Sequence, residues 1–172
     1  MEKYRQMVKR SADLKSKDLL PNGGVEHAEV LIENIFSHAS STIRVFSGHL
    51  NNRVYGSDSV VTEATAFLEN PNNRLMILLQ DIEEWSALND NRLVGLCDSE
   101  APDRCIIKKA SSEDKDIESH FVVMDDSGYR IEPDKSKPTG IGCFNDTELA
   151  AKLNQHFDEM FERADERPLQ KH

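Results

Sequence analysis

Residues 74–81, with the sequence RLMILLQD, constrain the fold more than any other segment. Positions 75–79 are consecutive apolar residues without an alternating polar position, so a strand formed there is expected to be buried on both faces. Such a strand occurs where helices cover both sides of a largely parallel sheet. This segment therefore predicts an α/β protein.

Flanking segments provide neighbours for this strand. Residues 42–48 alternate apolar and polar side chains and stop at Gly48, and residues 104–110 contain a second apolar run, so both predict strands. Residues 58–69 carry apolar side chains at helical spacing between two of the strands. The order of helices, strand–helix–strand, a strand-rich stretch and a final helix predicts a mixed sheet flanked by helices.

The final helix has the clearest pattern. Its apolar residues recur every three or four positions, at Leu149, Leu153, Phe157, Met160, Phe161 and Ala164. Asn145 is expected to cap its N-terminus, with Glu148 reaching back in a capping box. Residues 166–172 lack a core pattern and are predicted to fray.

The N-terminal segment differs from the rest in charge. Residues 1–20 contain six Lys or Arg and three Asp or Glu, which gives +3 and leaves −13 for the remainder of a chain of net charge −10. A helix is predicted over residues 2–19, broken at 20–24 by LPNGG, so residues 1–22 are assigned to a basic helical arm. Two interpretations of the arm stay open: a solvated helix face, or a docking surface for an acidic partner.

Composition narrows the class of protein. A chain of 172 residues with 38% hydrophobic content suits one domain with a real core. The net charge of −10 disfavours nucleic acid as a partner, although a local basic site stays open. No apolar stretch approaches a membrane span, and no signal-peptide pattern is present. The three cysteines, Cys97, Cys105 and Cys143, lack C-x-x-C spacing, so a cytoplasmic protein without a metal or other cofactor is expected.

Residues 118–132, ESHFVVMDDSGYRIE, carry the candidate chemistry. Residues 120–124 and 129–131 predict a hairpin across the turn DDSG. His120 begins the first strand, and it is either a hydrogen-bonded structural histidine or a catalytic one. Arg130 and Glu132 share one face of the second strand, where they can pair with each other or bind a ligand.

With these elements, residues 25–164 resemble one phospholipase D-like domain. The signature of that superfamily is H-x-K-x(4)-D, followed by G-S-x-N before a helix. His120 matches the histidine, Val122 stands at the lysine position, and Ser127 stands at the aspartate position, with Asp125 and Asp126 slightly early. In the sequence GCFN, Gly142 and Asn145 match and Cys143 replaces serine.

The resemblance implies a function through paired motifs. In the superfamily, two motifs from two domains or two subunits face each other; one histidine attacks phosphorus and the other protonates the leaving group. The lysines and asparagines hold phosphate oxygens, and the aspartate orients the histidine. By this resemblance, His120 and Asn145 are the candidate catalytic residues, and residues 23–165 form a phospholipase D-like domain behind an extra N-terminal helix.

A second set of candidates follows the strand at 42–48. His49, Asn51, Asn52 and Arg53 lie in the loop after Gly48, and ligands often bind at the carboxyl ends of strands in α/β sheets. The predicted ligand-binding residues are therefore His49, Asn51, Arg53, Arg130 and Glu132. An ordinary surface loop is the alternative for His49 to Arg53.

Two functions follow from these residues. The first is a catalytically degenerate domain that binds a protein or ligand as an accessory or regulatory module, in a homodimer or a complex. The second is a metal-independent phosphodiesterase or nuclease whose active site forms across a homodimer from two copies of His120. A cationic side chain aimed at His120 would favour the second, and the missing lysine favours the first.

Overall fold

The computed structural model describes residues 1–168. Its helices are α1 (Glu2–Asp13), α2 (Val25–His38), α3 (Asp58–Glu69), α4 (Arg92–Glu100) and α5 (Thr147–Glu162), with 3₁₀ turns at Trp85–Leu88 and Ser112–Asp114. Its strands are β1 (Leu20–Asn22), β2 (Thr42–Ser47), β3 (Arg74–Leu79), β4 (Cys105–Lys109), β5 (His120–Met124), β6 (Gly128–Glu132), β7 (Gly140–Cys143) and β8 (Asp165–Glu166). None of the helices in this part of the chain is long and apolar enough to cross a membrane.

All these strands join one sheet in the order β1-β7-β6-β5-β2-β3-β4-β8. The central strands β2, β3 and β4 run parallel, connected through helices, and β5 lies antiparallel to β2. Antiparallel pairing continues from β5 through β6 and β7 to β1. The predicted mixed α/β sheet flanked by helices, with an extra N-terminal helix, is confirmed.

Helices cover both faces of the sheet, as the apolar run in β3 predicts. Leu75, Ile77 and Leu79 point into the larger core beneath α1 to α4, whereas Leu78 points into the smaller core beneath α5. Each of these four side chains is completely buried. The alternation puts every second residue of β3 on each side of the sheet, so both cores depend on this strand.

The N-terminal segment departs from its predicted structure. Helix α1 ends at Asp13, and the chain turns through Lys15, which has a positive φ of 48°. The stretch expected to break a helix contains β1, which pairs with β7 at one edge of the sheet. Val8 is fully buried against α2, so the basic helix also contributes to the core.

The cap of α5 is not the predicted one. Asp146 caps the helix, because its side chain accepts a hydrogen bond from the backbone N–H of Leu149. Asn145 instead donates through Nδ2 to the carbonyl of Lys15. At the other end, Asp165–Glu166 pair with β4, and Arg167 forms an ion pair with Asp98. The rest of the predicted fraying tail, residues 169–172, lies outside the described residues.

Candidate functional site

A cavity of about 270 Å³ opens where β2 and β3 end and β5 begins. The predicted catalytic residue His120 lines it, together with the predicted ligand-binding residues His49, Asn51, Arg130 and Glu132. The antiparallel β5 brings His120 to this end of the sheet because Phe121 pairs with Phe46 near the end of β2. The carboxyl ends of the parallel strands thus form the floor of the site, as α/β sheets commonly arrange.

Two predicted site residues lie elsewhere. Arg53 is exposed and does not line the cavity, and its backbone N–H donates to Asn51 Oδ1. Asn145 follows β7, whose last residue, Cys143, pairs with Tyr129 near the opposite end of the hairpin from His120. The structure therefore does not bring Asn145 and His120 into one site.

Gln80 determines how His120 is held. The Gln80 amide is buried, and its Nε2 donates to the carbonyls of Asp114 at 2.8 Å and Ile117 at 2.9 Å. These bonds leave Oε1 to face His120 Nε2, 2.8 Å away. Because the amide oxygen only accepts, we assign the proton of His120 to Nε2 and the free lone pair to Nδ1. Nδ1 has no hydrogen-bond partner among residues 1–168.

His120 is held in its neutral form. Burial is the largest cause lowering its pKa, to about 4, and the charges of Lys135, His49 and Arg130 act in the same direction. Asp81 opposes them and raises the pKa, but less than burial lowers it. The ring also packs edge-on against Phe46, with centroids 5.3 Å apart. At neutral pH the imidazole therefore carries no charge.

Lys135 lies immediately behind the imidazole. Its ammonium donates to Gln80 Oε1 at 3.1 Å, the same oxygen that accepts from His120, and to the carbonyl of Lys115 at 3.3 Å. Lys135, Lys137 and Arg130 all line the cavity. Cations thus surround a neutral histidine.

Arg130 and Glu132 form a buried ion pair on the wall of the cavity. Arg130 Nη1 lies 2.8 Å from Glu132 Oε2, and the two side chains are 7% and 18% exposed. Arg130 Nε donates to Asn22 Oδ1 at 2.6 Å. In the sheet, Arg130 stands opposite Val122, which is 1% exposed and also lines the cavity. The cation next to the lysine position of the motif therefore comes from β6.

Several residues of the cavity were not among the sequence candidates. Gln80, Asp81 and Tyr55 are the main ones; Asp81 and Tyr55 line the cavity, and Gln80 holds His120. Gln80 and Asp81 directly follow β3, just as Gly48 and His49 follow β2. Because β2 and β3 are adjacent and parallel, their ends lie side by side. The sequence signal that could have identified Gln80 and Asp81 was their position as a polar pair directly after the apolar run of β3.

No metal centre accompanies these residues. In the described part of the chain, no group of three or more His, Cys, Asp or Glu side chains is placed to hold a metal ion. The three cysteines are buried thiols, and the structure does not bring them to the cavity.

The sequence matches one protein-family model. A model described as "Domain of unknown function (DUF7931)" matches residues 25–171. The chain belongs to this family. The matched range contains every residue of the cavity named above. No curated protein matches the sequence.

Solved structures share the fold of this family member at low sequence identity. The chromatin protein TrmBL2 from an archaeon, described as having a novel mode of DNA binding, is 10% identical with a TM-score of 0.62; the match covers 96% of this chain and 62% of that one. The phospholipase D family member Nuc from Salmonella typhimurium is 10% identical with a TM-score of 0.60, covering 87% and 97%. NucT from Helicobacter pylori is 11% identical with a TM-score of 0.56, covering 83% and 92%.

These similarities establish a phospholipase D-like fold. The chain spans nearly all of Nuc and NucT, but less than two thirds of TrmBL2. At such identities the likeness concerns the backbone arrangement and carries no activity with it.

Proposed function

We propose that this protein is a catalytically degenerate phospholipase D-like domain that binds a ligand or a protein partner. In this proposal it acts as an accessory or regulatory module, in a homodimer or a larger complex. Function has to be argued from the side chains, because one fold serves many activities.

The surroundings of His120 carry this proposal. Where the superfamily has an aspartate behind the histidine, this chain has the neutral amide of Gln80 and the ammonium of Lys135. A catalytic imidazole gains positive charge when it attacks or takes a proton, and a carboxylate partner stabilises that charge. Gln80 does not supply such a charge, and Lys135 repels it. A pKa of about 4 also leaves too little imidazolium at neutral pH for a general acid.

The H-x-K-x(4)-D motif is incomplete in both of the ways in which it can be aligned with residues 118–127. With His120 as the histidine, the lysine position is the buried Val122. With Asp125 as the aspartate, four residues separate it from His120, which then takes the lysine position, and the exposed Glu118 takes the histidine position. Both alignments lack the lysine, and the second also lacks the nucleophilic histidine, so neither reproduces the complete set of groups that phosphoryl transfer requires.

The alternative is a metal-independent phosphodiesterase assembled across a homodimer. Lys135 favours it, because this cation lies beside His120 and can compensate for the apolar Val122. Arg130 and Lys137 add positive charge to the same cavity. The net charge of −10 acts against this alternative, because it repels phosphodiester substrates approaching from solution.

An assay of metal-independent phosphodiester hydrolysis separates the two functions. The substrate is bis(p-nitrophenyl) phosphate in the presence of a chelator, and the proteins are wild type, His120→Ala and His156→Ala. His156 serves as the control because it lies on α5, outside the cavity. We expect background rates from all three proteins. Hydrolysis by wild type and His156→Ala that disappears in His120→Ala would replace the degenerate domain with the dimeric enzyme.

A further inference from the structure

The cavity contains polar groups whose hydrogen-bonding capacity the protein leaves unused. Arg130 is 6% exposed and Tyr55 is 7% exposed, yet Arg130 Nη2 and the Tyr55 hydroxyl have no hydrogen-bond partner in residues 1–168. His120 Nδ1 and the Asp81 carboxylate are likewise unpartnered within that range. Arg130 and Tyr55 are largely buried, and buried polar groups normally find partners, so their unused donors indicate a ligand that supplies acceptors. The partly buried His120 and the exposed Asp81 add two acceptors at the same cavity.

These groups divide into donors and acceptors. The donors Tyr55 and Arg130 both line the cavity. His120 and Asp81 flank Gly48: a Cβ at Gly48 would lie 3.3 Å from His120 Cε1 and 2.8 Å from Asp81 Oδ2. The acceptors therefore lie together at the ends of β2 and β3.

The charge of the cavity limits the ligand. Among Lys, Arg, Asp and Glu, the lining contains Arg130, Lys135 and Lys137 at +3 and Asp81 and Glu132 at −2, a formal balance of +1. Lys137 also pairs with Asp134 just outside the lining, which brings the local balance close to neutral. This balance suits one carboxylate, either alone or together with an ammonium group in a zwitterion. A phosphate dianion would bring more negative charge than the lining offsets, next to two carboxylates.

The volume of the cavity and the polar groups in its lining also favour a small polar ligand. At about 270 Å³ the cavity is smaller than the roughly 300–1,000 Å³ of sites for drug-sized ligands, so it admits a small molecule. The acceptors His120 Nδ1 and Asp81 match a molecule that also carries a donor, such as an ammonium or hydroxyl group.

We propose that the cavity binds a small carboxylic acid that carries its own hydrogen-bond donor, either an amino acid or a hydroxy acid. The carboxylate contacts Tyr55 and Arg130, and the donor contacts His120 and Asp81. This inference rests on the proposed function as a binding module and specifies the class of its ligand.

Calorimetric titration tests the proposal with defined probes. The donor-bearing carboxylates are L-serine, L-glutamate, L-lactate and D-gluconate; acetate lacks the donor, and inorganic phosphate tests the competing anion. We expect at least one of the four to bind, with acetate and phosphate at least about ten-fold weaker. Failure of all four, or equal binding of phosphate or acetate, overturns the proposal.

Variants identify the site and the donor. Tyr55→Phe should weaken binding about ten-fold, whereas Tyr129→Phe, whose hydroxyl donates to Asp146 outside the cavity, should leave it unchanged. Asp81→Asn should weaken an amino acid strongly and a hydroxy acid little, with Asp126→Asn as the exposed control. Binding that Tyr55→Phe leaves intact contradicts the proposal.

The two proposals fail separately. Phosphodiester hydrolysis dependent on His120 would reject the degenerate domain whatever the titrations show. An inactive protein that binds none of the four carboxylates would reject the ligand class and leave a protein partner as the function of the module.

Discussion

Glu132 stands directly opposite His120 in the antiparallel pair of β5 and β6, but its carboxylate bonds to Arg130 at 2.8 Å. The imidazole bonds to Gln80 instead. Burial is the largest cause that lowers the pKa of His120, and Arg130 adds to it in two ways: its charge repels the imidazolium, and it binds the Glu132 carboxylate, which beside the histidine would raise that pKa.

Replacing this arginine should therefore change the charge of the histidine. In Arg130→Gln we expect the pKa of His120 to rise above 4, because the repulsion is lost and Glu132 is released. NMR titration of the imidazole measures the shift. Lys137→Gln is the control, because that exposed side chain already pairs with Asp134. An unchanged pKa of His120 in Arg130→Gln would show that Arg130 and Glu132 do not influence the imidazole.

Asp125 should contribute stability that depends on pH. Burial raises the pKa of its carboxyl, but hydrogen bonds from Thr42, Ser40 and Ser41 outweigh this and hold the pKa below its ordinary value. A depressed folded-state pKa gives stability that is present above the unfolded pKa of about 4 and is lost as the pH falls below it.

Substitution of Asp125 tests that contribution. Asp125→Asn should lower the free energy of unfolding by roughly 1.5–3 kcal/mol at pH 7, and by less at pH 3, where the wild-type carboxyl is being protonated. Urea unfolding at the two pH values measures the difference. Asp126→Asn, at an exposed position in the same turn, is the matched control. Equal losses at both pH values would contradict the assigned linkage.

Helix α5 is anchored by its phenylalanines. Phe157 is completely buried and stacks on Phe161 with ring centroids 5.2 Å apart, whereas Glu162 is exposed. Phe157→Ala should lower the free energy of unfolding by roughly 3–5 kcal/mol. Glu162→Ala should cost well under about 1 kcal/mol. Chemical denaturation of both variants measures this contrast, and similar losses would show that the apolar face is wrongly assigned.

Restoring the motif lysine should not restore an enzyme. Val122 is 1% exposed and stands opposite the buried Arg130, so Val122→Lys places two cations side by side. We expect a loss of roughly 3–5 kcal/mol in the free energy of unfolding and no phosphodiester turnover. Val122→Leu is the apolar control in thermal melts. A stable Val122→Lys protein with turnover would show that the lysine was the missing group.

The oligomeric state is also predicted. One phospholipase D-like domain supplies half of the paired arrangement of the superfamily, and twofold pairing is the commonest way to complete it. We expect either a homodimer, with about twice the chain mass of 19.5 kDa in light scattering, or a tight complex with another protein. A monomer at high protein concentration, with no partner recovered from the native host, would contradict the prediction.

Much of the fold can be predicted from local sequence patterns. The apolar run of β3 predicts cover on both faces, and Leu75 and Leu78 do lie in different cores. The three- and four-residue spacing around Phe157 predicts α5. These patterns succeed because burial acts on each side chain of an element according to the face on which it lies. The position of His49 directly after a strand predicts a polar cavity, because ligands in α/β sheets bind at the carboxyl ends of the strands.

Other features depend on contacts between distant segments. His120 and Gln80 are 40 residues apart, and they meet because β5 pairs with β2 while β3 lies on the other side of β2. Asn145 leaves the cap of α5 because the turn after α1 offers it the carbonyl of Lys15. Periodicity records which face of an element is buried, but a hydrogen bond between elements is set by the register of the whole sheet. The tertiary structure alone therefore decided which group lies behind the histidine and what charge it carries.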